Sequence, residues 1–248
     1  MSYNLPIVIP SYKRADRVKS TRLVTNPIIC VAESEEDEYK LYNPDVEIVT
    51  HPDSVKGLIP KRNWMMNHFG ELFMIDDDVV SFNRLYIEKG EKLSVKDKDY
   101  TRLKIEQLHE LAKMIGAPLF GFAKQSHIVT FKESSWFSLN KTITGCAYGV
   151  IKKDNLKWNE ELTLKEDFWI SCLAKYHYRK VLVDNRFHFN QEDTFTNAGG
   201  LSEFRNNKTE MNNILELRRT FGECVQLKKI GKNSNSRLKN NISVDFGF

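Results

Sequence analysis

Glu71-Leu-Phe-Met-Ile75-Asp76-Asp77-Asp78 is the stretch whose reading decides the fold. Four apolar residues in a row suit a strand covered on both faces, and the acids that follow mark the edge where an open α/β sheet presents its ligand crevice. Three carboxylates crowded at that edge repel one another by on the order of several kcal/mol unless a cation lies between them. Mg2+ or Mn2+ suits the task, because either takes one or two carboxylates and completes its shell with water and substrate phosphate. An Asp-rich turn on its own is commonly a solvated cap. Its position directly after Phe73-Met-Ile75 carries the argument for metal.

Upstream, Leu5-Pro-Ile-Val-Ile-Pro10, Pro27-Ile-Ile-Cys-Val-Ala32 and Val46-Glu-Ile-Val-Thr50 read as further strands. Lys61 to Phe69 is predicted as a helix, entered through Gly57 and Pro60 and stopped by Gly70. Downstream, residues 86–100 are charged and read as loop. Leu108, Leu111, Ala112 and Ile115 then trace one face of a helix. Strands are expected at Leu119 to Ala123, Thr142 to Ile151 and Val181 to Asp184. A helix opening with Glu166-Asp167 carries the stripe Trp169, Cys172, Leu173 and Tyr176, and Met211 to Phe221 reads as the last helix. Strands alternating with helices predict an α/β fold, a mainly parallel mixed sheet flanked by helices.

The chain has 248 residues, 41% hydrophobic and 11% aromatic, which suits one core. The expected division is one domain over 1–224 and a basic C-terminal segment over 225–248. Leu5 to Pro10 is too short for a signal-peptide core, and no run approaches the roughly 20 apolar residues of a membrane span. A soluble cytoplasmic protein without a membrane partner is expected. The four cysteines, Cys30, Cys146, Cys172 and Cys224, are scattered without a CxxC pair, so neither a zinc site nor a disulfide framework is indicated. Net charge is a mild +4, but Val225 to Asn241 holds Lys228, Lys229, Lys232, Arg237 and Lys239 without one acid. That segment reads either as a solvated end or as a polyanion-binding surface.

Pro6-Ile-Val-Ile-Pro-Ser-Tyr-Lys-Arg14, Gly57-Leu-Ile-Pro-Lys-Arg-Asn63 and Leu72-Phe-Met-Ile-Asp-Asp-Asp78 together resemble the GT-A (Rossmann-like) glycosyltransferases, over roughly residues 5 to 200. The resemblance implies that Pro10, Ser11 and Arg14 line the nucleotide site, with uridine preferred. It implies that Arg62 approaches the diphosphate or braces the acidic turn, that Asp76 and Asp77 belong to the donor site with Asp76 on the ribose, and that Asp78 binds metal. Leu164-Lys-Glu-Asp-Phe-Trp169 is similar to the Glu-Asp pair that begins the acceptor-side helix of many such enzymes. Asp167 is the implied catalytic base, with Glu166 second, since a carboxylate at a helix N-terminus is stabilised in its charged form. His188, in Arg186-Phe-His-Phe-Asn190, matches the place of a late second metal ligand. A histidine between aromatics is otherwise a packed core residue. Asn197-Ala-Gly-Gly-Leu201 offers backbone amides to a phosphate or sugar.

The short opening, the Met-Ile-Asp-Asp-Asp strand, Thr144-Gly-Cys-Ala-Tyr-Gly149 and Glu166-Asp167 followed by Phe187-His-Phe189 resemble more narrowly the TET-associated glycosyltransferases of bacteriophages. Those are associated with sugars on 5-hydroxymethylpyrimidines in DNA. The implied reaction moves a sugar from a UDP-sugar to 5-hydroxymethylcytosine or 5-hydroxymethyluracil in double-stranded DNA, using Mn2+ or Mg2+. Lys228, Lys229 and Lys232 become the acceptor-binding residues, and Phe131, Trp136 and Phe137 become candidates to stack on or wedge open the bases. The rival readings are transfer to a glycan, lipid or protein, a non-catalytic nucleic-acid-binding module, and a nucleotidyltransferase. The last lacks a Gly-rich nucleotidyl motif.

Overall fold

A computed structural model describes residues 4–86, 93–124, 134–143, 145–191, 206–227 and 242–245. Its centre is an eight-stranded sheet. The first five elements are β1 (Ile7–Pro10), β2 (Ile28–Ala32), helix α1 (Glu36–Tyr42), β3 (Glu47–His51) and helix α2 (Leu58–Phe69). They are followed by β4 (Glu71–Ile75), β5 (Val79–Arg84), β6 (Ser94–Val95), helix α3 (Lys98–Ile115), β7 (Leu119–Phe122), β8 (Phe137–Ser138) and β9 (Ala147–Ile151). The chain continues through helix α4 (Glu166–Tyr178), β10 (Leu182–Asp184), β11 (Phe187–Gln191), helix α5 (Asn207–Phe221), β12 (Val225–Leu227) and β13 (Ile242–Val244). Strand order in the large sheet is β3-β2-β1-β4-β9-β7-β10-β8. Pairing is parallel except where β9 meets β4 and β7 and where β8 meets β10. The expected mainly parallel mixed sheet is therefore present.

Its inner strands are buried on both faces, and successive side chains feed two cores. Ile7, Ile9, Phe73, Ile75 and Phe120 face α3, where Ile105, Leu108 and Ala112 meet them. Val8, Cys30, Met74, Val150 and Val183 face α2, α4 and α5 through Met65, Met66, Ile170, Cys172 and Ile214. Gly149 of β9 stands opposite Phe120 of the neighbouring strand β7, and a Cβ there would overlap the Phe120 ring that lies across it. Gly149→Ala is expected to destabilise by about 1–3 kcal/mol through overpacking. A thermal melt with the wild-type midpoint would show that the ring moves aside freely.

Several elements differ from the sequence reading. The charged stretch 86–100 contains β6 and the first turn of α3, which Asp97 caps by accepting a hydrogen bond from the Tyr100 amide at 3.0 Å. Strand β9 begins only at Ala147, after Gly145 at φ 116°. Strands β11, β5 and β6 form a second, three-stranded antiparallel sheet directly after the acidic turn. Its Phe82, Phe187 and Phe189 cluster with Phe73 and Phe122 of the large sheet, with ring centroids 4.6–6.2 Å apart. Such aromatic pairs contribute about 0.5–1.5 kcal/mol each beyond the area they bury. Beyond residue 224, β12 pairs with β13, and Val225 and Ile242 are buried in the core beside α4 and α5. Among the described residues, no helix is long and apolar enough to cross a membrane.

Candidate active site

The carboxyl ends of β1 and β4 lie side by side, so the loop Ser11 to Arg14 faces the turn Asp76 to Asp78. Asp77 points back into the protein. Its Oδ2 accepts the Ser11 hydroxyl at 2.6 Å and its Oδ1 accepts Arg14 Nη1 at 2.9 Å. Because the Ser11 proton goes to the carboxylate, the Tyr39 hydroxyl donates to Ser11 Oγ at 2.7 Å, and it accepts the Arg14 amide at 3.1 Å. Pro10 stays in the sheet, aligned with Cys30, and Lys61 Nζ donates to the Ser11 carbonyl. Burial lowers the pKa of that ammonium. Lys13 sits at φ 53°, a left-handed conformation that turns the loop over the acids.

Asp76 and Asp78 are the outward members of the turn. Arg62, on the buried face of α2 and 1% exposed, donates through Nη2 to Asp76 Oδ1 at 3.2 Å. Its Nη1 donates to the Tyr148 hydroxyl and stands 3.4 Å from Glu166 Oε1. Burial works against the guanidinium's charge, and the acidic hydroxyl and carboxyls of Tyr148, Glu166, Asp76 and Asp167 overcome it. Asp76 is pushed up to about 7 by burial, with Arg62 pulling the other way and Asp78, Glu166 and Asp77 adding to the rise. Asp78 is raised by burial, against the Gln191 amide that its Oδ1 accepts at 2.7 Å; Arg14 comes no nearer than 4.0 Å.

Asp167 accepts two amide protons, from Gly145 at Oδ2 (3.0 Å) and from Phe168 at Oδ1 (2.8 Å). It thereby ties the start of α4 to the loop before β9. Each oxygen keeps a second lone pair for another donor.

His188 is placed elsewhere. Register opposes it to Asn83, four residues along β5 from Val79, or about 13 Å of strand rise. Its Nδ1–H donates to the Ala123 carbonyl at 2.7 Å, and burial lowers its pKa. The residue brought to Asp78 is Gln191, which the sequence did not single out. Tyr39, Lys61 and Tyr148 were missed as well. Only the adjacency of Lys61 to Arg62 and of Tyr148 to Gly149 hinted at them. Phe131, Thr144, Asn197 to Leu201, Lys228, Lys229 and Lys232 lie outside the described residues.

Among the described residues, no three His, Cys, Asp or Glu side chains converge on a metal position. Two partly compensated carboxylates, Asp76 and Asp78, nevertheless fit Mg2+ or Mn2+, whose remaining ligands in nucleotide sites are water and phosphate oxygens. Hard oxygen donors beside raised carboxyl groups are the arrangement such an ion relieves.

The S. aureus TarS structure covering residues 1–349 in complex with UDP-GlcNAc is similar to this chain, with TM-score 0.50 and 8% identity over 86% of this chain and 66% of that one. TarS 1–349 in another structure gives TM-score 0.45 and 9% identity, over 86% and 65%. The chain thus spans just under two thirds of the length of those structures, and the likeness shows a shared fold. No curated protein matches the sequence. The model of one family, described as TET-associated glycosyltransferase, matches residues 5–200, a span holding the β1 loop, the acidic turn and the start of α4. This chain belongs to the TET-associated glycosyltransferase family.

Proposed function

We propose that this glycosyltransferase moves a sugar from a nucleotide-sugar donor, a UDP-sugar, to the hydroxymethyl oxygen of 5-hydroxymethylcytosine or 5-hydroxymethyluracil in double-stranded DNA. The observation that carries the reading is Arg62, which joins Asp76 at the sheet edge to Glu166 at the start of α4. One buried cation thereby fixes the donor-side acids against the acceptor-side helix. The UDP-GlcNAc held by TarS supports a uridine donor, and the resemblance to phage enzymes supports the DNA acceptor.

In this reading Pro10, Ser11 and Arg14 receive the nucleotide, with Asp77 bracing their loop. Asp78 and Asp76 would hold a divalent ion, which when bound would stabilise negative charge on the departing phosphate. Asp167 takes the hydroxymethyl proton as that oxygen bonds the anomeric carbon and the nucleoside diphosphate leaves with the bonding pair. His188, which lies opposite Asn83, is assigned no metal ligation in this reading. Lys228, Lys229 and Lys232, between the anchored strands β12 and β13, contact the phosphate backbone. Reaching a stacked base requires flipping it out, at a cost of about a few kcal/mol.

The test incubates the protein, Mn2+ and pooled nucleotide sugars with duplexes containing cytosine, 5-hydroxymethylcytosine or 5-hydroxymethyluracil, then weighs the digested nucleosides. A hexose or pentose increment confined to a hydroxymethylated duplex supports the reading. No increment on any duplex, with transfer to a glycan or peptide, overturns it. In single-turnover assays Asp167→Asn is expected to slow the chemical step at least about a hundredfold with donor affinity unchanged. Should Glu166→Gln alone show that pattern, the base is Glu166.

A further inference from the structure

The carboxyl end of β10 lies on the same sheet edge as Asp76, because β4, β7 and β10 run in one direction. Three strand spacings of about 4.8 Å separate them, or about 14 Å. At that end Asp184 grips Arg186 through two bonds, Nε to Oδ1 at 3.0 Å and Nη2 to Oδ2 at 2.8 Å. The guanidinium lies 4.9 Å from the Trp136 ring centroid and 4.8 Å from that of Phe137. These rings belong to the edge strand β8 and the residue before it, and they remain 51% and 40% exposed. The platform is held in place by Asn185, whose amide donates to the Trp136 carbonyl at 2.8 Å and whose side chain donates to the Ser135 carbonyl at 2.8 Å.

Two further cations lie near Arg186: Lys104 Nζ is 5.9 Å from the centroid of the Phe187 ring, which the Arg186 guanidinium approaches at 5.8 Å, and Lys104 and Arg84 stand 5.0 and 5.3 Å from that of Tyr100. Lys104 is lowered by burial and by the charges of Arg186 and Arg84, with Asp184 opposing. Three cations thus share one acid among these residues. A neutral glycan would gain nothing from this surplus, whereas a strand of nucleic acid supplies both phosphates for the cations and bases for the rings.

We infer that Trp136, Phe137 and Arg186, with Arg84 and Lys104 beside them, form a stacking platform for an unstacked stretch of the acceptor DNA strand flanking the reacting nucleotide. This rests on the DNA-acceptor reading above and extends it to a surface apart from the chemistry.

The experiment measures binding of the full chain to a fluorescein-labelled single-stranded 20-mer with one 5-hydroxymethylcytosine, alongside the transfer assay on duplex. Trp136→Ala is expected to weaken binding about tenfold, and Trp136→Tyr to restore most of it. Arg186→Gln is expected to lower the slope of log affinity against log salt by about one. Melting midpoints establish that each variant is folded, and donor hydrolysis should stay at the wild-type rate in all three. Wild-type transfer to DNA together with unchanged Trp136→Ala affinity overturns the platform alone. A wild-type chain that neither binds nor modifies DNA overturns the acceptor reading too. A loss of self-association in Trp136→Ala with DNA affinity intact would assign the surface to a second copy instead.

Discussion

Arg62→Met is expected to destabilise the protein by about 3–5 kcal/mol, because it leaves Asp76 and Glu166 facing each other without the cation between them. For a chain of this size the melting midpoint should fall by roughly 10 °C. The loss belongs to the uncompensated charges more than to the missing contacts. Adding Asp76→Asn to Arg62→Met should therefore recover about 1–3 kcal/mol, a coupling that a double-mutant cycle reads directly. Costs that simply add would show that Arg62 does not hold the two carboxylates together. Arg62→Lys should retain part of the stability, since a single ammonium lacks the fork that reaches Asp76, Glu166 and Tyr148 at once.

Asp78→Asn should lower sugar transfer by up to about a thousandfold while leaving the melting midpoint near the wild-type value. The asparagine oxygen can still accept the Gln191 amide, so the local hydrogen bond survives. What disappears is the negative charge available to a divalent ion. Calorimetry of UDP-sugar binding with and without Mn2+ separates the two effects. The metal-dependent part of the affinity should vanish in the variant, and turnover at the wild-type rate would remove Asp78 from the mechanism. The same substitution at Asp77 acts differently, because that carboxylate is engaged by Ser11 and Arg14. Its loss loosens the β1 loop instead of subtracting charge from the open side of the turn.

The parallel strands were legible because burial on both faces leaves continuous runs of Val, Ile, Leu and Phe, as in Ile7 to Pro10 and Glu71 to Ile75. Helix α3 was legible from its stripe, though its N-terminal turn was lost among charged residues whose solvent-facing side carries no period. The small antiparallel sheet escaped notice. Its strands are short, and β5 begins at once after the acidic turn, where the carboxylates dominate the reading.

The order of chemistry-bearing segments was set by the sequence itself: a loop after the first strand, acids at the end of the fourth, and an acidic pair opening a later helix. Local pattern suffices for this, since strand burial and helix capping are properties of neighbouring residues. Which carboxylate turns inward, and which partner each one finds, was decided only by the tertiary structure. Asp76, Asp77 and Asp78 are chemically identical in the sequence. They part company because Ser11, Arg62 and Gln191, drawn from positions 11, 62 and 191 of the chain, converge on them one by one. Pairings of that kind depend on strand order and register, and strand register placed His188 opposite Asn83, four residues from Val79, and put Gln191 beside Asp78.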